Sequence, residues 1–180
     1  MVTYTIPGMK TGSADKVVAL LQDRLDSLSD LALTLKHVHW NVIGPNFIAV
    51  HTMLDPQVDA VRVMVDESAE RIAALGGSPS GTPGALVKRR GWDDYSIGRA
   101  DTIEHLGALD VVYAGIIEAN RAAIEATEEP DPVTQDMLIR HGGQLEQFHW
   151  FVRAHLEQSD GSLRTAGAAT ERSAARQASS

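Results

Sequence analysis

The chain has 180 residues, is 43% hydrophobic, carries a formal net charge of -8 and contains no cysteine. That length suits one domain with its own core. The lack of thiols excludes disulfides and thiolate chemistry, and the acidic balance disfavours nucleic-acid binding by the body and favours cations.

The longest apolar runs, such as Val17–Leu21, fall far short of the roughly 20 residues a membrane span needs. The segment Met1–Lys16 lacks the basic head and apolar stretch of a secretory signal, so a cytoplasmic location is expected. A short flexible segment, residues 1–12, precedes the first helix. From Ser13 to Val42, apolar residues recur at Val17, Leu20, Leu21, Leu28, Leu31, Leu35 and Val38, the rhythm of one helix face. Ser13 reads as its N-cap with Asp15 in the first turn, and Gly44-Pro45 as its stop. A second helix is predicted from Asn46 to Gly76, on Phe47, Val50, Leu54, Val58, Val61, Val65, Ile72 and Leu75. Pro56 interrupts it, but the periodicity resumes in phase.

Residues 78–98 read as a long connection with a short helix at Ala85–Arg90. A third helix follows over Asp101–Thr127 and a fourth over Pro132–Gln158, with Asp131 as its N-cap. Residues 159–180 are rich in Ala, Ser and Gly with few large apolar side chains. Such a segment buries too little to offset its ordering entropy, so a mobile tail is expected. The whole is an all-α, four-helix bundle spanning residues 13–158, whose single long crossover between the second and third helices is of the ferritin-like kind.

The stretch LKHVHWNVIGPNFIAVHTML, Leu35–Leu54, holds His37, His39 and His51 around the Gly44-Pro45 break. On a helical wheel at about 100° per residue, Asp55, Asp59, Arg62, Asp66 and Glu70 all fall within roughly 100° of His51. The bland reading is a solvated face. The other is a cation site, because Asp66 and Glu70 stand one turn apart, able to grip one ion. His51 and Asp66, however, lie about 22 Å apart along the helix axis, while metal ligands must approach to about 2.0–2.2 Å. One chain therefore cannot close the site. A second copy packed antiparallel would bring His39 and His51 of one chain to Asp66 and Glu70 of the other, giving two identical sites about a two-fold axis. Such a mixed N/O set suits iron, zinc, manganese or cobalt, and spacing alone selects none of them. His37, two residues before His39, points about 200° away and is a bystander.

These features together resemble the Dps family, the DNA-protection-during-starvation proteins or mini-ferritins. KHVHWNVIGPNFIAVHTMLD resembles the family's Lys, His-Trp, Gly, Asn-Phe and His-x-x-x-Asp stretch, and VDESAERIAALGGSP its Asp-Glu-x-x-Glu-Arg block with the Gly-x-x-Pro that follows. The intervals linking His39, His51, Asp66 and Glu70 match those of the family's ferroxidase ligands. The resemblance covers about Leu21 to Leu156. It implies a hollow homododecamer of tetrahedral symmetry and a ferroxidase. Fe(II) is oxidised to Fe(III), two irons per site, by hydrogen peroxide or dioxygen, preferably the former, and stored as ferric mineral. His39 and His51 come from one subunit and Asp66 and Glu70 from its partner. Asp55 serves the weaker second iron near Lys36, and Trp40 is an electron or radical trap. Iron enters through three-fold pores, to which the resemblance assigns Asp136 and, more distantly, Asp131; a solvated helix N-terminus is the alternative there.

Glu146 and His149 form one Glu-x-x-His pair, but the bundle-core di-iron site needs two, so the pair reads as coincidence with His149 beside Trp150 and Phe151. His105, His141 and His155 read as surface or helix-packing residues. DNA binding through mobile tails is a family trait. Here Arg164, Arg172 and Arg176 face one glutamate in residues 161–180, and Lys10 and Lys16 face Asp15 at the start. Twelve copies would multiply such modest contacts. A nucleoid protein with secondary iron binding, and a zinc- or manganese-binding homologue without oxidation, are the competing functions.

Overall fold

The computed structural model describes all 180 residues. Its elements are α1 Thr11–Asn41, β1 Val42–Ile43, α2 Phe47–Ala74, α3 Pro83–Arg89, β2 Ala100–Asp101, α4 Thr102–Thr127, α5 Pro132–Leu156 and α6 Glu171–Ser179. The four long helices pair as α1 with α2 and α4 with α5. This is the expected ferritin-like bundle, with α3 in the crossover. No helix is long and apolar enough to cross a membrane.

The buried stripe of α1 runs Val17, Leu21, Leu25, Leu28, Leu31, Leu35 and Val38, in steps of three and four. It packs with Val50, Leu54, Val58, Val61 and Met64 of α2, with Leu106, Leu109 and Tyr113 of α4, and with Leu145, Phe148 and Val152 of α5. A smaller cluster at the other end holds Val17, Leu21, Ile72, Leu75 and Leu138. Helix α1 starts one turn earlier than Ser13 suggested, with Lys10 at the N-cap position. The Ser13 amide bonds the Lys10 carbonyl at 3.0 Å, so Ser13 already lies inside the first turn.

At the end of α1 the chain becomes extended, and β1 pairs in parallel with β2, Val42 opposite Ala100 and Ile43 opposite Asp101. Two-residue strands leave no periodic signal, which is why the pattern missed them. This ladder fixes the end of α1 beside the start of α4, so those helices run antiparallel. Gly44 has φ 86°, and an added Cβ would lie 2.6 Å from Asp101 Oδ1. Glycine there lets the chain turn tightly into α2. Asp101 also caps α4 in a capping box with Glu104.

The C-terminal segment differs from the expected mobile tail. Residues 171–179 form α6, which lies on α4 and buries Ala174, Ala175 and Ala178. Composition missed this because the contact uses no large side chain. Gly107 of α4 allows it: a Cβ there would lie 2.6 Å from the Ala174 carbonyl oxygen and 2.8 Å from Ala178 Cβ. Thr170 caps α6, accepting from the Ser173 amide, and Glu171 accepts from the Ser96 amide and hydroxyl at 2.6 and 2.7 Å. The first residues are also tied down, the Val2 amide donating to Asp15 Oδ1 at 2.6 Å.

Candidate metal centre

His39 stands in the last turn of α1 and His51 in the second turn of α2, brought together by the Gly44 turn. Their rings stack at 3.7 Å between centroids with 23° between planes. Each is held by the other's backbone: His39 Nδ1 lies 3.0 Å from the His51 carbonyl oxygen, and His51 Nδ1 lies 2.9 Å from the His39 carbonyl oxygen. A carbonyl oxygen only accepts, so both Nδ1 atoms carry the proton. This fixes the tautomer whose lone pair lies on Nε2, the arrangement that readies imidazole for a metal.

Asp55, one turn after His51, places Oδ1 3.3 Å from His39 Nδ1 and 3.0 Å from Lys36 Nζ. The hydrogen bond from Lys36 holds the Asp55 carboxyl below the usual range. Trp40 is 71% exposed beside this cluster, with Lys36 Nζ 5.9 Å from its ring centroid. Phe47 flanks His51 at 5.0 Å between centroids.

Asp66 and Glu70 are exposed further along α2. No three His, Asp or Glu side chains of one chain converge as a metal-binding group. His39, His51 and Asp55 are thus gathered at one end of α2, while Asp66 and Glu70 stand apart from them.

The family model described as the ferritin-like domain matches residues 18–161. The DNA protection during starvation protein of Mycolicibacterium smegmatis is 58% identical over 175 residues, 97% of this chain and 96% of that protein. The chain belongs to the Dps family of ferritin-like proteins. Among solved structures, the Dps of Mycobacterium smegmatis superposes with a TM-score of 0.92 at 58% identity, over 94% of this chain and 97% of that one. DpsA14 from Streptomyces coelicolor has a TM-score of 0.89 at 62% identity, over 90% of this chain and 96% of that one.

Within this Dps fold the two acids assigned to the pore part company. Asp136 is exposed and carries only a loose contact to Arg140 at 3.9 Å. Asp131 is a correction: it is 3% exposed, and both its oxygens accept from Arg71 Nη2, at 2.9 and 2.7 Å. Arg71 Nε also donates to Thr134 Oγ1 at 2.9 Å, and that hydroxyl donates back to Asp131. Burial opposes ionisation of Asp131, but the Thr134 and Arg71 hydrogen bonds outweigh it and hold the carboxyl low. A carboxylate so engaged is an internal strut between α2 and α5, not a pore lining.

His149 is a second correction. It does not pack on Trp150 and Phe151, which pair with each other. It stacks on Tyr113 and bonds Asp110 Oδ1 at 2.7 Å. Asp110 Oδ2 accepts from Thr165 at 2.6 Å, so this cluster ties the C-terminal segment to the bundle. Glu146 instead pairs with Arg121 at 2.6 Å, as expected of a chance motif. His37 points to the Ile97 carbonyl at 2.9 Å, away from His39.

His105 and His141 are buried packing residues rather than surface ones. His105 meets the Tyr95 hydroxyl at 3.0 Å and His141 meets Glu67 at 2.6 Å. His155 turns back to the Phe151 carbonyl. Of the tail arginines, Arg172 and Arg176 are exposed on α6, while Arg164 bonds the Ala178 carbonyl at 3.3 Å.

Proposed function

We propose that this Dps protein is a ferroxidase that oxidises Fe(II) at sites shared by two-fold-related subunits. In this reading His39 and His51 of one subunit meet Asp66 and Glu70 of the other across an isologous interface. The observation that carries it is the reciprocal anchoring of the two imidazoles, which leaves both Nε2 atoms as ligand donors. Iron is the substrate and the cargo. The donor set fits it: imidazole nitrogens bind Fe(II), and carboxylates favour the harder Fe(III) product. Asp55 serves the second, weaker iron, and Trp40 is placed to quench a stray oxidising equivalent. Two Fe(II) ions passing two electrons to hydrogen peroxide, with two protons, yield two Fe(III) and two waters. Dioxygen is the alternative oxidant. The product is stored as ferric mineral inside a homododecamer in the cytoplasm, with Asp136 at the iron entry.

A complementation assay tests this reading. His39→Ala and Asp66→Ala proteins are each expected to lose rapid peroxide-driven iron oxidation. Mixed by unfolding and reassembly, they regain it, because each mixed pair contains one intact site. Two inactive variants that stay inactive together would place all ligands in one chain and overturn the shared site.

DNA binding through the C-terminal segment is a second role, favoured by the exposure of Arg172 and Arg176 on α6. Repeated over a dodecamer, two arginines per copy form a multivalent surface despite the acidic body.

A further inference from the structure

A cavity of about 630 Å³ lies between α1 and α4, and no residue of α2 or α5 lines it. Its size is in the range of small-molecule sites. Its floor is the α4 strip from Val111 to Ala119, which spans about 12 Å at the helical rise. The first turn of α6 and the loop bearing Trp92 close one side.

Two features are unexplained by packing within the chain. Gly115 stands in the middle of α4, where glycine costs about 1 kcal/mol relative to alanine. No atom lies within 4 Å of the Cβ it lacks, so close approach of a neighbour is not the reason for it. It opens the floor of the cavity instead. The second is Arg24. It lines the cavity from α1 and forms no ion pair with a carboxylate. The surroundings withdraw it from water enough to disfavour its charge, and the adjacent Asp23 offsets this only in part. Of the acids that line the cavity, Asp30 accepts from Arg90 and Trp92, Asp94 from Arg90 and Glu171 from Ser96, while Asp93, beside Trp92, has no cation or donor on it. Because α1 and α4 run antiparallel, Arg24 stands at the Ala119 end.

We propose that this cavity binds an amphipathic carboxylate, its anionic head on Arg24 and an alkyl chain of about ten carbons along the α4 strip over Gly115. A planar guanidinium pairs with carboxylate in a bidentate fork. Val111, Val112 and Ile116 supply the apolar wall. Because residues of α6 complete the site, occupancy and docking of the C-terminal helix stabilise each other.

The test is calorimetric titration of the full-length assembled protein with decanoate, below its micellar range, and with decanol as the neutral comparator. Decanoate is expected to bind once per chain. Arg24→Gln should weaken decanoate by at least about tenfold while leaving decanol unchanged. Gly115→Leu, which projects into open space, should abolish both. Circular dichroism and size exclusion verify that each variant folds and assembles. No decanoate binding to the native assembly, or binding undiminished in either variant, overturns the proposal.

Discussion

His39 and His51 each accept a ring N–H bond from the other on their backbone carbonyls, at 2.9 and 3.0 Å. The tautomer and orientation of each ring therefore depend on the backbone that carries the other. Loss of one imidazole removes a proposed ligand and also frees the backbone turn that aims the second. We predict that His39→Gln and His51→Gln each weaken Fe(II) or Zn(II) binding by at least about 10–100-fold. The double variant should bind hardly more weakly than either single one. Titration of the metal-free assemblies measures this, and fully additive losses would show that the rings act independently.

Arg71 and Asp131 form the second structural relationship with a measurable consequence. Both side chains are largely buried, and Arg71 Nη2 donates to both carboxylate oxygens of Asp131. Arg71→Met leaves a buried carboxylate with Thr134 as its remaining partner, so it should destabilise the fold by about 3–5 kcal/mol. Arg71→Met combined with Asp131→Leu should recover most of that. Urea unfolding reads both. Asp131→Asn is expected to lower stability while Asp136→Asn slows iron uptake at unchanged stability, which separates the strut from the proposed entry acid.

The bundle was legible in the sequence because its four helices are long and carry unbroken apolar stripes, as α1 does from Val17 to Val38. Gly44 and Gly76, both with positive φ, mark the ends of α1 and α2 in the sequence as in the fold. The pairing of His39 with His51 was legible because a short glycine turn joins their helices. Other features rest on contacts between distant positions. Glu67 and His141 are 74 residues apart, and no local pattern announces their pairing. Helix α6 escaped notice because a contact of alanine on glycine buries little area per residue. Asp131 looked like a solvent-facing cap because its partner, Arg71, lies 60 residues earlier.

Gly107 controls whether α6 stays docked. Gly107→Leu places side-chain atoms where the Ala174 carbonyl and Ala178 now sit. Helix α4 gains propensity from the change, so the bundle persists while α6 is displaced. Cleavage by trypsin after Arg172 and Arg176 should accelerate by at least about tenfold. Unchanged cleavage would mean that α6 is already undocked most of the time in solution.

Acid sensitivity should appear near neutrality. Burial holds both His105 and His141 below their ordinary pKa, despite favourable bonds from neighbours. His141 stays neutral as it donates to the ionised Glu67, which explains why the Glu67 carboxyl is also held low. The unfolded chain takes up protons at about pH 6.5, whereas the folded histidines resist. Stability is therefore highest above that pH and falls as pH drops toward the folded values. The melting temperature of the metal-free protein should decline between about pH 7.5 and 5.5. The slope should flatten in the His105→Gln/His141→Gln variant, and a slope equal to wild type would assign the sensitivity elsewhere.

Lys36 is the last determinant, because its ammonium holds the carboxylate that the proposed second iron needs. Lys36 Nζ stands 3.0 Å from Asp55 Oδ1, an exposed pair. An ion must displace Lys36 or share the carboxylate with it, so the pair acts against binding. Such exposed pairs are weak, because water screens them. Lys36→Met should therefore tighten the weaker Fe(II) binding step by about two- to fivefold, while Asp55→Asn should weaken that step and leave the tighter one in place. Anaerobic titration with Fe(II) resolves the two steps. If neither variant changes the weaker step, Asp55 takes no part in holding the second iron, and its bond to Lys36 is only a link between α1 and α2.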